Sequence, residues 1–314
     1  MHAIQHRPLR RGHTMIRSAR CAPEASVEPV TASAILAHPN FPAARRVFIA
    51  EQTKVYAIDT FPGRFGADVG RVTTLAIIVC LYANYDPADR DTWPTLNKLK
   101  TTVARFGFAS PRLIDAFVAR LVRTGDLELQ KQPGDSRVRL IRPTEELLAW
   151  DREWIAAHYA ALETLYPDPG YAYALERNVE FQAAHARCAI EAFDGIVAML
   201  WSNMDLVYIL SSTSGLIILL SVLEMTGSKA DGAFREADLG PIASHFGVSR
   251  SHIRNILAVA ESKGFLARSG PRNTYFQLTS FFVAAFDRFI ADSLAHGDLT
   301  YQFGLSGLAR TSGT

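Results

Sequence analysis

Apolar positions recur at helical spacing through "FPAARRVFIAEQTKVYAIDTF" from Phe41, and again through "VGRVTTLAIIVCLYANY" from Val69. These stretches predict two helices ahead of a loop, "PADRDTWP". Leu96, Leu99, Val103 and Phe106 then share one side of a short amphipathic helix that Gly107 ends. Ser110-Pro111 opens the next helix, because serine is a favoured N-cap and proline is best tolerated at the first helical position. Its apolar stripe is Leu113, Ile114, Phe117, Val118, Leu121 and Val122, while Arg112, Asp115, Ala116, Ala119 and Arg123 fall on the opposite face. Gly125 stops it. "DLELQKQPGDSRVRLI" predicts a hairpin about a Pro-Gly-Asp turn, with Leu127, Leu129, Val138 and Leu140 inward and Arg137 and Arg139 outward. A long helix from about Thr144 to Leu165 closes the unit, and "YPDPG" reads as a linker.

The order then repeats. Helical runs span roughly Ala174 to Leu200 and Asp205 to Met225, followed by a loop rich in Gly, Lys and Asp. "ADLGPIASHF" is the short helix, and Ser249 caps the next, whose inner stripe is Ile253, Ile256, Leu257 and Ala260. Gly264 ends it, "FLARSGPRNTYFQL" is a shorter hairpin, and "TSFFVAAFDRFIADSL" closes. Gly125 aligns with Gly264 and Ile114 with Ile253 at an offset of 139 residues. A repeat of that length means two copies of one domain, not a solenoid. The reading divides the chain into a poorly structured basic tail (1–38), a first domain (39–167) and a second (168–314).

Helix, tight turn, capped helix and basic hairpin make the order of a winged helix-turn-helix. A helix enters the DNA major groove when its outward face is short or polar and another helix anchors its inner face. Free N–H groups at its N-terminus suit a phosphate, and a hairpin carrying Arg reaches along the backbone or into a minor groove. In the second copy Arg250, Ser251, His252, Arg254 and Asn255 crowd the first outward turns, and Arg and Asn are able to read guanine and adenine by paired hydrogen bonds. The expected fold is therefore mainly α with small β-hairpin wings: two tandem winged helix-turn-helix domains forming a pseudo-dimer.

The first copy resembles the MarR-type regulators. "GDSRVRLIRPT" is similar to that family's wing pattern of Asp, any residue, Arg, then a strand ending in Thr before the last helix; here these are Asp135, Arg137 and Thr144. The resemblance implies that Asp135 braces the wing and that Arg137 enters the minor groove. It also implies a sensor able to take a small aromatic effector. The second wing, "SGPRNTYFQLT", keeps Leu278-Thr279 but has no Asp-x-Arg, which leaves Arg272 as a substitute by position only. Such regulators are normally homodimers, so two fused copies imply an intramolecular pseudo-dimer, with further dimerisation open. A homodimer prefers a palindrome. Two unlike helices, with Ser110, Arg112, Asp115 and Arg123 on one and Ser249, Arg250, His252, Arg254 and Asn255 on the other, suit an asymmetric or imperfectly palindromic site.

Charge sharpens this picture. The chain of 314 residues carries a net charge of only +2, with 48% hydrophobic and 20% charged residues, proportions of a soluble globular protein. Residues 94–142 nevertheless hold ten Lys/Arg against four Asp/Glu, and residues 234–273 six against three, which leaves the remainder at −7. Five Arg and no acid lie in the first 20 residues, read as a disordered tail or as sequence ahead of a start at Met15, with a weaker prospect of touching DNA phosphates. Cys21, Cys80 and Cys188 form no paired motif and suit a reducing cytosol, Cys80 and Cys188 as buried small hydrophobes. "LVYILSSTSGLIILLSVL" from Leu206 is uncharged and long enough to raise a membrane span, but its Ser/Thr/Gly centre reads better as two buried helices meeting at a polar break.

No HExxH, Gly-x-Ser-x-Gly or Walker pattern occurs, and "FPGRFG" at Phe61 reads as a turn. The histidines at 158, 185, 245, 252 and 296 are scattered, and Asp151 to Glu153 read as a solvated helix face. The expectation is no enzyme, no catalytic set, no metal and no cofactor. Trp150, Trp154, Tyr159 and Tyr166, with Phe281, Phe282 and Phe286, are expected at the interface between halves. The partner implied is double-stranded DNA, the location cytoplasmic and nucleoid-associated. The competing class is a winged-helix module that binds protein without touching DNA; acidic recognition faces would favour it, and these are basic.

Overall fold

Several helices begin the same way: Thr31, Asp68, Thr95, Ser110, Asn178 and Ser249 stand in extended conformation and their side-chain oxygens accept the N–H three residues on. Each cap satisfies one of the N–H groups that a helix leaves without a partner. The structure, a computed structural model, describes residues 29–57, 68–227 and 232–312. It is mainly helical with two small antiparallel sheets.

The first half runs α1 (Ala32–Ala37), α2 (Phe41–Val55), α3 (Val69–Ala83), α4 (Leu96–Ala104), α5 (Pro111–Thr124), the ribbon β1 (Leu127–Gln132) and β2 (Asp135–Pro143), and α6 (Glu145–Leu165). After the short α7 (Ala172–Leu175) the second half runs α8 (Val179–Ala189), α9 (Phe193–Ser202), α10 (Met204–Leu210) and α11 (Gly215–Gly227). There follow β3 (Ala233–Phe234), α12 (Gly240–His245), α13 (Arg250–Ser262), β4 (Leu266–Ser269), β5 (Tyr275–Leu278) and the 33-residue α14 (Ser280–Ser312). The second sheet has the order β3-β5-β4. In the first half a single bridge from Thr95 to Leu140 stands where β3 stands in the second.

The halves are interwoven. α2 packs along α6 of its own half and also against α11 of the other, while α8 packs along α14 and against α3. Each half therefore lends its leading helix to the core of its neighbour. The α8–α14 crossing is close because α14 presents Gly304 to α8: a Cβ there would stand 2.8 Å from the Phe181 ring. Across the seam the Tyr159 hydroxyl donates to the Gly297 carbonyl at 2.9 Å and lies 3.2 Å from both Thr300 Oγ1 and His185 Nε2. Phe106 of the first half meets Phe193 of the second edge-on at 5.5 Å. Aromatic pairs at this geometry add ~0.5–1.5 kcal/mol beyond the area they bury.

The architecture amends several expectations. Within the segment read as an unstructured tail, Ala32–Ala37 form a helix whose Ile35 is fully buried, and Val30 N–H donates to Asp298 of α14 at 3.0 Å. The basic residues 1–28 and the "FPGRFG" turn lie outside the described residues. Leu127 is buried but Leu129 is exposed, because only the ends of β1 are covered as the ribbon leaves the body. The run from Ala174 to Leu200 is broken into α7, α8 and α9. The apolar stretch from Leu206 divides at the Ser/Thr/Gly centre as expected, into α10 and α11. Among the described residues no single helix is long and apolar enough to cross a membrane; α9 and α10 reach that length only together, bent by 100°. Phe282 packs on Phe265 and Phe286, and Phe286 on Phe289, all four buried, whereas Phe281 is exposed and so is not an interface ring. Cys80 is buried and free, whereas Cys188 is disulfide-bonded, against the expectation of reduced thiols.

Candidate nucleic-acid interface

The two sequence-predicted reading helices are α5 and α13. The inner stripe of each is buried: Ile114, Phe117, Val118 and Leu121 in α5, and Ile253, Ile256, Leu257 and Ala260 in α13. α4 packs on α5 and α12 on α13, so each outer face is carried by a second helix. Both helices end on a left-handed glycine, Gly125 at φ 82° and Gly264 at φ 73°. Beyond each glycine an N–H returns five residues: Asp126 to the Leu121 carbonyl at 2.9 Å, and Phe265 to the Ala260 carbonyl at 2.8 Å. Each ribbon is closed by one clamp, in which the threonine ahead of the last helix donates its N–H to the carbonyl where the ribbon begins. Thr144 reaches Asp126 at 3.1 Å and Thr279 reaches Phe265 at 3.0 Å. The two copies agree at the level of single hydrogen bonds.

The outer faces differ. Arg112, Asp115 and Arg123 are exposed on α5, as are Arg250, Ser251, Arg254 and Asn255 on α13. Ser110 and Ser249 are exposed too, with their oxygens already accepting from Leu113 N–H and His252 N–H. Asp115 and Arg254 occupy equivalent positions at the 139-residue offset, and each is tied to the preceding element with opposite polarity. Lys100 of α4 holds Asp115 at 3.0 Å, whereas Glu236, just ahead of α12, holds Arg254. Exposed pairs of this kind contribute ~1 kcal/mol or less, so a stronger partner displaces them easily. His252 is half-buried and its Nε2 donates to the Thr213 carbonyl at 2.6 Å, which turns the ring back toward the α10–α11 turn, away from the outer face.

In the first ribbon Asp135 Oδ1 accepts Arg137 N–H at 3.1 Å, and Oδ2 lies 4.0 Å from the Arg90 guanidinium. The buried Gln132 side chain, not singled out from the sequence, also accepts from Asp135 N–H at 2.8 Å. The turn is thus held from both sides while Arg137 and Arg139 stay exposed. In the second ribbon, between β4 and β5, Arg272 is exposed at φ 55°. Arg268 is a strut: it lies over the Phe276 ring at 4.7 Å and pairs with Glu261 at 2.8 Å.

A second constellation escaped sequence reading. A cavity of about 220 Å³ lies at the seam, walled by α2, α3 and α6 from the first half and α8, α9 and α14 from the second. His158, His185 and His296 meet there. Asp151 does as well; it is buried, not solvated. Its placement was legible, since Leu147, Asp151, Ile155, His158 and Leu162 form one stripe of α6. The histidines come from three different helices, and no local spacing announces them. Burial lowers the pKa of all three to about 4 and raises that of Asp151 to about 6, because each charged form is short of water. Among the described residues no group of three or more His, Cys, Asp or Glu side chains could hold a metal ion.

Comparison with known proteins returns no matching family model, no matching curated protein and no matching solved structure.

Proposed function

We propose that this chain is a sequence-specific DNA-binding transcription regulator built from two tandem winged helix-turn-helix units, a pseudo-dimer in one polypeptide that resembles the MarR type. The observation carrying the reading is the repeat itself. A serine-capped helix, anchored on its inner face and followed by a clamped ribbon, occurs twice, and each time exposed Arg side chains stand on the outer face. Positive charge concentrated in those two segments, in a chain of net charge +2, supports a polyanionic partner. α5 and α13 enter successive major grooves, the ribbons follow the backbone, and Arg137 and Arg139 position the first unit while Arg254 and Asn255 read bases.

The exchange of Asp115 for Arg254 at equivalent positions makes the half-sites unlike. A carboxylate accepts from the cytosine amino group, whereas a guanidinium donates to guanine. Selection of bound duplexes from a random pool tests this. Two dissimilar half-sites about one helical turn apart are expected, and a perfect inverted repeat refutes the asymmetric reading.

A further inference from the structure

The seam cavity combines two features that an ordinary core avoids together. Its wall is overwhelmingly apolar and aromatic, with Phe48, Trp154 and Phe289 among its rings, and among the described residues it holds no Lys or Arg. It nevertheless contains the Asp151 carboxyl, which accepts a hydrogen bond from Gln182 Nε2 at 2.7 Å and has no ion pair among the described residues. Arg152, next in the chain, turns to Glu145 and to Gln182 Oε1, so its charge favours the carboxylate from a distance, with Gln182 between them, and makes no contact with it. Asp68, the other carboxyl in the wall, is taken up by Arg71 at 3.0 Å and by the cap of α3. A buried carboxylate with no cation in contact is costly, and such groups concentrate at binding sites.

We propose that the cavity binds a small lipophilic organic cation, an amine whose ammonium pairs with Asp151 and whose apolar body packs on the aromatic wall. What Asp151 lacks among the described residues is a positive charge in contact, and aromatic faces add attraction for a cation. A carboxylate ligand would find the opposite of what it needs: Asp151, no Lys or Arg among the described lining residues, and three histidines that burial keeps neutral at physiological pH. His296 Nε2, buried without a hydrogen-bond partner among the described residues, offers the ligand one further polar contact. A cavity of about 220 Å³ admits a fused two-ring body. The site spans both halves, so it exists only in the folded pair, and the proposal stands whether or not the outer faces bind DNA.

The test uses the full chain and three probes sharing one ring system, naphthylmethylamine, naphthalenemethanol and naphthoate, titrated calorimetrically at pH 7.5. We expect the amine to bind at least tenfold more tightly than the alcohol, and the alcohol more tightly than the acid. Asp151→Asn keeps the volume and an acceptor for Gln182, and it should cost the amine at least tenfold while leaving the alcohol within twofold. An acid that binds as well as the amine overturns the proposal. So does an Asp151→Asn variant that lowers both ligands equally, or the absence of binding by all three. The alcohol reports whether the variant's cavity is intact, and no arm of the experiment contains DNA.

Discussion

Acidification should open the seam before it affects the rest of the molecule. His158, His185 and His296 have folded pKa values of about 4, against about 6.5 in an unfolded chain. Their folded values are depressed, so the neutral rings' contribution is fully present above about pH 6.5 and is lost as pH falls toward 4. At pH 5 each ring then costs ~2 kcal/mol relative to neutral pH, or ~6 kcal/mol for three. Asp151 works the other way: its folded pKa of about 6 lies above the unfolded value, so it destabilises the ionised protein and protonation returns ~1 kcal/mol over the same interval. The net loss, ~5 kcal/mol, is a large part of an ordinary folding free energy of ~5–15 kcal/mol. Urea melts at half-unit steps from pH 7.5 to pH 5 measure it, the slope reporting about two protons taken up on unfolding near pH 5. His185→Gln should remove about one of them. Stability unchanged to within ~1 kcal/mol between pH 7 and pH 5 would refute the reasoning.

Three substitutions separate the remaining roles. Arg137→Ala should weaken binding to all DNA sequences alike and reduce the dependence on log salt by about one unit, read by fluorescence anisotropy at several salt concentrations. Arg254→Ala or Asn255→Ala should change which bases are preferred, at ~1–3 kcal/mol per lost base contact; equal weakening on every sequence would count against reading by α13. Tyr159→Phe removes one of the two hydrogen bonds at the Gly297 carbonyl, which keeps that of Thr300 Oγ1, and a urea melt should show a loss of ~0.5–1.5 kcal/mol; a loss below ~0.5 kcal/mol would mean that water replaces the hydroxyl.

Most of the element order was legible, and for a physical reason. Amphipathic stripes, serine caps and glycine stops are local signals, and α4, α5, α6, α13 and both ribbons begin or end within a few residues of where those signals stand. What failed depended on neighbours distant in sequence. Ile35 and Val30 are ordered by α14, some 260 residues away, and nothing in their own spacing shows it. Leu129 obeys the strand alternation but lies on a ribbon with nothing beneath its middle. The break of the 174–200 run follows from the seam, where α8 must cross α14 closely while α9 turns to meet Phe106. Asp151 is the case where a local signal existed and the residue's chemistry obscured it: its stripe is apolar, and a carboxylate is ordinarily taken as exposed.

The central claim is that the outer faces of α5 and α13 meet DNA, and titration of the chain with labelled genomic fragments at two salt concentrations tests it most directly. The account predicts specific binding that weakens steeply with salt, with a slope set by several phosphate contacts, and a Kd at least a thousandfold below that for random duplex. Binding to no fragment at low salt, or equal affinity for every fragment at both concentrations, would contradict it.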